Sequence, residues 1–232
     1  MKTPAFWSWA TVEVLRHTGI RIEEMLELTH HSFIAYTLPT TGEVVPMLQV
    51  APSKTDAERL LLVSPELAEV LTAIIFRVRA GNPALPLVCA YDVFEQTWSP
   101  PMPFLFQRRY GNENRPIGRS YIRECMVATS QAAHIAAAGE TLEWRPHDFR
   151  RIFVTDALRS GLPPHIAAEI CGHYAGDFVK SRAMAVSRGL PVEPAEQAVE
   201  DFLAADLPLG GCVVALAGQG GAELDGGLEE RA

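Results

Sequence analysis

The sequence predicts a mainly helical α+β fold with one small three-stranded antiparallel sheet. Three observations indicate it. Apolar residues recur at helical spacing in several segments, most clearly between Leu67 and Val78. Between residues 32 and 63 the pattern changes to β-branched and aromatic residues, interrupted by turn-forming Pro, Gly and Ser. Apolar residues make up 48% of the 232 positions, which is enough for a sizeable core.

Two helices are predicted at the start of the chain. The first covers residues 5–18 and is interrupted by Gly19. The second covers residues 21–29, with its apolar side chains facing the core and its acids facing solvent. Those acids are Glu23, Glu24 and Glu27.

The predicted sheet follows, with strands over residues 32–38, 44–50 and 59–63. A turn at Pro39–Gly42 joins the first two strands. A polar tip over residues 52–58 joins the last two, so Lys54 is expected on a loop at one edge of the sheet.

The second half is predicted to be mostly helical. Ser64 supplies a capping hydroxyl and Pro65 suits the first helical position, so a helix is expected to start there. Residues 83–117 are rich in Pro, Gly and aromatic residues and are predicted to be irregular. Three further helices are expected, over residues 120–138, 146–158 and 164–171.

Composition excludes several classes of protein. No apolar run reaches 18 residues, and the first residues lack the features of a signal peptide, so we expect a cytoplasmic protein with no membrane partner. The cysteines show no metal-ligand or disulfide spacing and are expected to be buried thiols; they are Cys89, Cys125, Cys171 and Cys212. No acidic cluster suggests a metal site, and we expect neither a metal nor a small-molecule cofactor.

The net charge of −8 is concentrated at the C-terminal end. Residues 191–232 hold nine acids and one base, whereas the remainder of the chain is balanced. Residues 174–232 are therefore expected to be a divergent acidic, Gly/Ala-rich tail that is partly disordered. Residues 1–173 are expected to form the folded domain, and its neutral charge with clustered arginines permits a nucleic-acid partner.

Five basic residues on separate predicted elements could together grip a phosphate. They are Arg21, Lys54, His147, Arg150 and His173. Two guanidiniums can clamp the non-bridging oxygens of a phosphodiester, and a lysine or histidine can pass a proton to the leaving oxygen. Each of these residues alone could equally be a solvated surface charge, and together they could belong to a plain helical interaction domain.

The sequences around these residues resemble, in order and spacing, the motifs of the tyrosine recombinases, which form the phage-integrase family. The first arginine motif is similar to residues 18–28, and the hairpin lysine segment is similar to residues 53–67. The family's His-x-x-Arg box resembles Pro146–Arg151, and its Leu-Gly-His motif resembles Ile170–His173, with Cys171 in place of leucine.

This resemblance implies a helical catalytic domain that acts on double-stranded DNA. Arg21 and Arg150 would bind the scissile phosphate, and Lys54 would be the general acid toward the leaving 5′-hydroxyl. His147 would assist proton transfer, and His173 would donate a hydrogen bond to the phosphate. In the family a tyrosine attacks to form a 3′-phosphotyrosyl link, and strand exchange follows on a homo-oligomer without ATP or metal.

The chain departs from the family pattern in two respects. Few residues precede the first motif, so the family's DNA-clamping domain is expected to be absent and DNA binding by this chain weak. The family's tyrosine lies about nine residues beyond the Gly-His histidine, where this chain has Arg182. Tyr174 is the single tyrosine after His173, and its adjacency to His173 makes it a weak candidate for the nucleophile.

Three explanations for this second departure stay open: a reading frame shifted near codon 174, a decayed copy, and a tyrosine supplied by another protomer. The sequence therefore predicts a domain for site-specific DNA recombination or integration that is truncated and impaired. The alternative is a non-catalytic DNA-binding or regulatory remnant of the same fold.

Overall fold

A computed structural model describes most of the chain up to Gly172, namely residues 3–52, 58–92, 95–134, 136–137, 140–141 and 144–172. Three of the residues singled out above, Lys54, His173 and Tyr174, lie outside the described residues. The same holds for the tail over residues 174–232, including Cys212 and Arg182.

The described part of the chain is mainly α-helical, as the sequence predicts. Its α-helices are α1 (Thr3–Thr18), α2 (Ile22–Glu27), α3 (Pro65–Arg79), α4 (Arg119–Ala132), α5 (Pro146–Arg159) and α6 (Pro164–Ile170). The start of α3 is as expected, because the Ser64 hydroxyl accepts a hydrogen bond from the Leu67 amide at 3.2 Å and Pro65 opens the helix.

The predicted three-stranded antiparallel sheet is confirmed. Its strands are β1 (Phe33–Thr37), β2 (Val44–Val50) and β3 (Arg59–Leu62), and β2 is the central strand. Phe33 pairs with Leu48, and Val50 pairs with Arg59. This register brings Arg59 to the end of β3 that is nearest in sequence to the loop carrying Lys54.

The prediction of an irregular segment over residues 83–117 is wrong in part. Two short hairpins lie in it, formed by β4 (Tyr91–Asp92) with β5 (Thr97–Trp98) and by β6 (Gln107–Tyr110) with β7 (Glu113–Pro116). The second hairpin turns at Gly111, whose φ of +61° is a left-handed conformation that glycine adopts without strain.

The helix predicted over residues 120–138 ends earlier than expected, at Ala132. His134 has a φ of +53°, which is incompatible with continuing the helix. The chain then forms a minimal hairpin from β8 (Ala136–Ala137) and β9 (Glu140–Thr141). The alanine-rich composition that favours a helix here is overridden by this turn.

Helix α1 is the centre of the core. Residues on all of its sides are buried, among them Trp7, Val14 and Leu15, and it packs against α3, α4 and α5. Polar residues of α1 are buried as well, including Ser8, Thr11 and Glu13, so the helix lies in the interior of the domain. Its C-terminal end, and therefore the residues that follow it, is fixed by packing on several sides.

The cysteine prediction is correct for two residues and wrong for a third. Cys125 and Cys171 are buried, but Cys89 is exposed. Among the described helices none is both long and apolar enough to cross a bilayer.

Candidate functional site

The turn between α1 and α2 positions Arg21. Gly19 ends α1 with a φ of +63°, while its amide still donates to the Leu15 carbonyl at 2.9 Å. The next residue, Ile20, is 1% exposed and anchors the turn in the core. Arg21 therefore emerges from a fixed point as the residue immediately before α2.

Gly19 is required by both its conformation and its surroundings. A Cβ at this position would lie 2.3 Å from Cδ1 of Phe153, whereas one at Gly42, which has a φ of +71°, would meet nothing within 4 Å. We expect Gly42→Ala to cost about 1 kcal/mol for the left-handed backbone alone. Gly19→Ala adds a steric clash in the core and should cost more than about 3 kcal/mol.

Urea unfolding of the two variants checks this expectation, with Gly42→Ala as the matched control. Equal losses of unfolding free energy would show that Phe153 can move aside and that the turn before Arg21 is not sterically fixed.

The carboxylate of Glu24 holds Arg21 in place. Its Oε2 accepts from the Arg21 backbone amide at 2.8 Å, and its Oε1 lies 3.1 Å from Nη1 of the Arg21 side chain. The same Oε2 lies 2.7 Å from Nη2 of Arg59, at the start of β3. The Glu24 side chain is fully buried, the Arg59 side chain is 9% exposed and that of Arg21 is 30% exposed. One buried acid thus supports two arginines.

Glu24 and Arg59 contact the predicted site residue Arg21 directly or through one ion pair, and the sequence did not predict these contacts. Glu24 was expected to face solvent, and that expectation is wrong, because its carboxylate is enclosed by guanidinium groups. The spacing of Arg21 and Glu24 carries a local signal, since an acid three residues after a helix-capping position can reach back to the cap amide. No local signal predicts the contact of Arg59 with Glu24, because the two residues are 35 positions apart in the sequence.

Arg150 joins this region to the end of α6. Its Nη1 donates to the carbonyl of Gly19 at 2.7 Å, and its Nη2 donates to the carbonyl of Cys171. Arg150 is 2% exposed. Burial lowers the pKa of its guanidinium, and the charges of Arg21 and Arg59 lower it further, although arginine stays protonated at physiological pH. Arg150 therefore places a buried positive charge against the turn that carries Arg21.

His147 lies one turn before Arg150 on α5 and is exposed at the edge of the site. Loss of hydration lowers the pKa of its imidazole, and the nearby charges of Arg151, Arg150 and Arg21 lower it further. Three of the predicted residues, Arg21, His147 and Arg150, are therefore close enough to influence one another. At neutral pH the imidazole is uncharged and can accept a proton.

The depressed pKa of His147 predicts a pH-dependent stability. The unfolded chain binds its proton at about pH 6.5, and the folded chain binds it only at lower pH. Stability associated with His147 is therefore present above about pH 6.5 and is lost as the pH falls below it. Replacing His147 with Gln should make the unfolding free energy decline less steeply between about pH 6.5 and 5.

Urea unfolding at several pH values, together with an NMR titration of the imidazole, checks this expectation. A midpoint at or above about 6.5, or identical slopes for the parent and the variant, would contradict it.

The structure leaves two of the five predicted residues undescribed, but it places the segments that flank them. Strands β2 and β3 lead into and out of the loop that carries Lys54. Gly172, with a φ of +66°, immediately precedes His173 and follows the Cys171 carbonyl bound by Arg150. In the part of the chain that the structure describes, no cluster of His, Cys, Asp or Glu could hold a metal ion.

The sequence model of the Phage integrase family matches residues 2–182 of this chain. The chain belongs to the phage integrase family. The match covers the segments around Arg21, Lys54, Arg150 and His173, and it ends at Arg182. No curated protein matches the chain significantly.

Several solved recombinases share the fold of this phage integrase family member. XerA recombinase has a TM-score of 0.51 at 18% identity, over 79% of this chain and 56% of its own. XerH recombinase bound to its difH substrate before cleavage has a TM-score of 0.52 at 13% identity, over 83% of this chain and 47% of its own. The Tn1549 transposon integrase bound to transposon right-end DNA has a TM-score of 0.51 at 16% identity, over 78% of this chain and 56% of its own.

The chain therefore spans about half the length of these recombinases. Their likeness to it, at such low identity, establishes the fold of the described domain: a mainly α-helical domain with a small antiparallel sheet.

Proposed function

We propose that this chain is the catalytic domain of a site-specific DNA recombinase, impaired in strand cleavage. One observation carries the proposal. Arg150 binds the carbonyl of Gly19, beside Arg21, and the carbonyl of Cys171, beside the Gly-His motif. A single buried guanidinium thus ties together three of the four recombinase-like segments. Such convergence is what a shared phosphate would require, and surface charges scattered at random would not produce it.

In this proposal each basic residue has a defined role at one phosphodiester. Arg21 and Arg150 neutralise the charge that grows on the non-bridging oxygens, and Glu24 with Arg59 fixes the position of Arg21. His173 donates a further hydrogen bond to the phosphate, and His147 assists proton transfer. Residues 1–173 form the catalytic domain and residues 174–232 an acidic tail.

The reaction exchanges one phosphate ester bond for another. A tyrosine oxygen attacks phosphorus as its phenolic proton passes to His147, and a P–O bond to that tyrosine forms. The bond to the 5′-oxygen breaks as Lys54 delivers a proton to it. Religation reverses these steps, so the bond energy is conserved. Cleavage is impaired in this proposal because Arg182 occupies the position expected for the tyrosine and Tyr174 adjoins His173.

Cleavage is tested with a pool of DNA duplexes that have a randomised centre and a nick close to it. After cleavage the short fragment at the nick diffuses away, so religation is prevented and the covalent protein–DNA adduct accumulates. We expect at most a trace of adduct, and none in a Tyr174→Phe variant if Tyr174 is the nucleophile. An efficient adduct that survives Tyr174→Phe would show that the chain is not impaired and that another group attacks.

The second candidate function is a non-catalytic DNA-binding remnant, which the arginine at position 182 favours. It predicts salt-dependent duplex binding with no adduct on any substrate. In both candidates Arg21→Ala should weaken binding, whereas Arg16→Ala, at an arginine paired with Glu13 on α1, should not. Binding that is indifferent to Arg21→Ala would instead favour a protein-interaction domain.

A further inference from the structure

A second cationic site lies away from Arg21. A cleft of about 810 Å³ opens between the first residue of α1, the C-terminal end of α3 and the hairpin β6–β7. Its wall contains Arg77, Arg108 and Arg109 and a single carboxylate, that of Glu113. Oε2 of Glu113 also lies 3.4 Å from Nη2 of Arg115, which does not line the cleft, so part of the Glu113 charge is neutralised by that arginine. The cleft therefore carries an excess of about two positive charges.

Aromatic rings hold two of these guanidiniums in place. The guanidinium carbon of Arg108 lies 3.8 Å from the ring centroid of Tyr121, and that of Arg77 lies 4.4 Å from the ring centroid of Phe6. Stacking on a ring face leaves the in-plane N–H donors of a guanidinium available at its edge. Within the described part of the chain, neither arginine has a carboxylate within salt-bridge distance.

Nη2 of Arg77 donates to Oγ1 of Thr3 at 3.2 Å, whereas one indole N–H in the wall has no acceptor in the part of the chain that the structure describes. Trp7 lines the cleft and is 2% exposed, and its indole N–H has no hydrogen-bond acceptor among the described residues. A buried N–H without an acceptor is costly, and most such groups in proteins are paired. An anion held by the neighbouring arginines would bring acceptor oxygens to this wall.

The cleft and the candidate recombination site lie on opposite sides of the first turn of α4. Arg119 forms an ion pair with Glu23 on α2, two residues after Arg21. Tyr121, which lies beneath Arg108, is two positions further along α4 and is rotated from Arg119 by about 200°. One phosphate could not contact both sites.

We propose that this cleft binds a phosphate monoester group. A monoester carries a charge of about −1.5 to −2 at neutral pH, which matches the excess positive charge better than one carboxylate does. The cleft volume suits a ligand of about nucleotide size. The phosphate could belong to a free nucleotide or to a 5′-phosphorylated DNA end, and the inference does not rest on the proposed recombinase activity.

Cys89 gives a direct readout of occupancy, because it lines the cleft and is exposed. Alkylation of Cys89 in the full chain is followed by mass spectrometry of its peptide. We expect adenosine monophosphate to slow the alkylation in a saturable way, and adenosine to have no effect. Arg108→Gln should weaken the apparent affinity by about tenfold or more, since it removes a charged donor. Arg123→Gln, at an exposed arginine outside the cleft, should leave the affinity unchanged.

The indole N–H signal of Trp7, assigned with a Trp7→Phe variant, serves as a second readout and should shift in the same titration. It also shows whether the Arg108→Gln variant is folded. Duplexes that differ only in a 5′-phosphate distinguish the two sources: protection by the phosphorylated duplex alone assigns the site to DNA ends, and protection by adenosine monophosphate alone assigns it to free nucleotides.

Four results would overturn the proposal. They are protection by adenosine equal to that by its monophosphate, no protection by either the millimolar monophosphate or the phosphorylated duplex, an affinity unchanged by Arg108→Gln, and stronger protection by a short glutamate-rich peptide or by the unphosphorylated duplex than by the phosphorylated ligands.

Discussion

Replacing Arg150 with Ala should lower the free energy of unfolding by about 3 to 5 kcal/mol, because two buried carbonyls lose a charged donor. Those carbonyls belong to Gly19 and Cys171, and both of their hydrogen bonds to Arg150 are buried, so water does not readily replace the lost donor. Arg150→Lys should recover only part of the loss, since a single ammonium cannot replace the planar fork that reaches both carbonyls.

Urea unfolding followed by circular dichroism measures this effect. The matched control is Arg123→Ala, at an exposed arginine on α4, which should change stability by less than about 0.5 kcal/mol. If Arg150→Ala lowered the free energy of unfolding no more than Arg123→Ala does, Arg150 would not join the turn at Gly19 to the end of α6. DNA binding by the Ala variant should be compared at temperatures where the variant is still folded.

Glu24→Gln should also lower the free energy of unfolding, with a loss of about 2 to 3 kcal/mol. The amide keeps the shape of the carboxylate but turns an N–H group toward a guanidinium or toward the Arg21 amide, and it removes the negative charge of Glu24 from beside Arg59. We place the loss at the low end for a buried ion pair because the Arg21 side chain is 30% exposed and can recover hydration.

Glu27→Gln is the matched control for Glu24→Gln, since it lies one turn along the same helix on the exposed side. Burial of part of the Glu27 carboxyl raises its pKa, and the neighbouring acids Asp92, Glu24 and Glu23 raise it further. Removing this charge should therefore be neutral or slightly stabilising. Equal losses in the two variants would mean that Glu24 supports α2 only through helix capping.

The fold was predictable where local signals agree with the tertiary contacts. Strand β2 has the predicted limits, and α3 begins at the predicted capping residue, because turn chemistry and periodicity both point to these boundaries. The hairpin β6–β7 was missed because its strands are polar and rich in arginine. Its Gly111-Asn112 turn was nevertheless readable as a turn signal.

The candidate site was predictable as a set of motifs but not as a structure. The resemblance of motifs predicted Arg21 and Arg150 as site residues, and it offered no way to see that Arg150 would be buried and bonded to two carbonyls. The contact between Glu24 and Arg59 joins a helix to a strand and depends on how α2 packs beside the sheet. Charge alone placed Glu24 on the surface, whereas a buried acid is stable when cations surround it.

The two carbonyls held by Arg150 also set the order in which the site can be assembled during synthesis. Gly19 lies 131 residues before Arg150, and Cys171 lies 21 residues after it. A chain still being translated can fold α1 and the sheet early. Arg150 cannot make both of its carbonyl contacts until residue 171 has left the ribosome. The link between the turn at Gly19 and the end of α6 is therefore completed last, and a chain interrupted before residue 171 lacks the second of the two carbonyl contacts of Arg150.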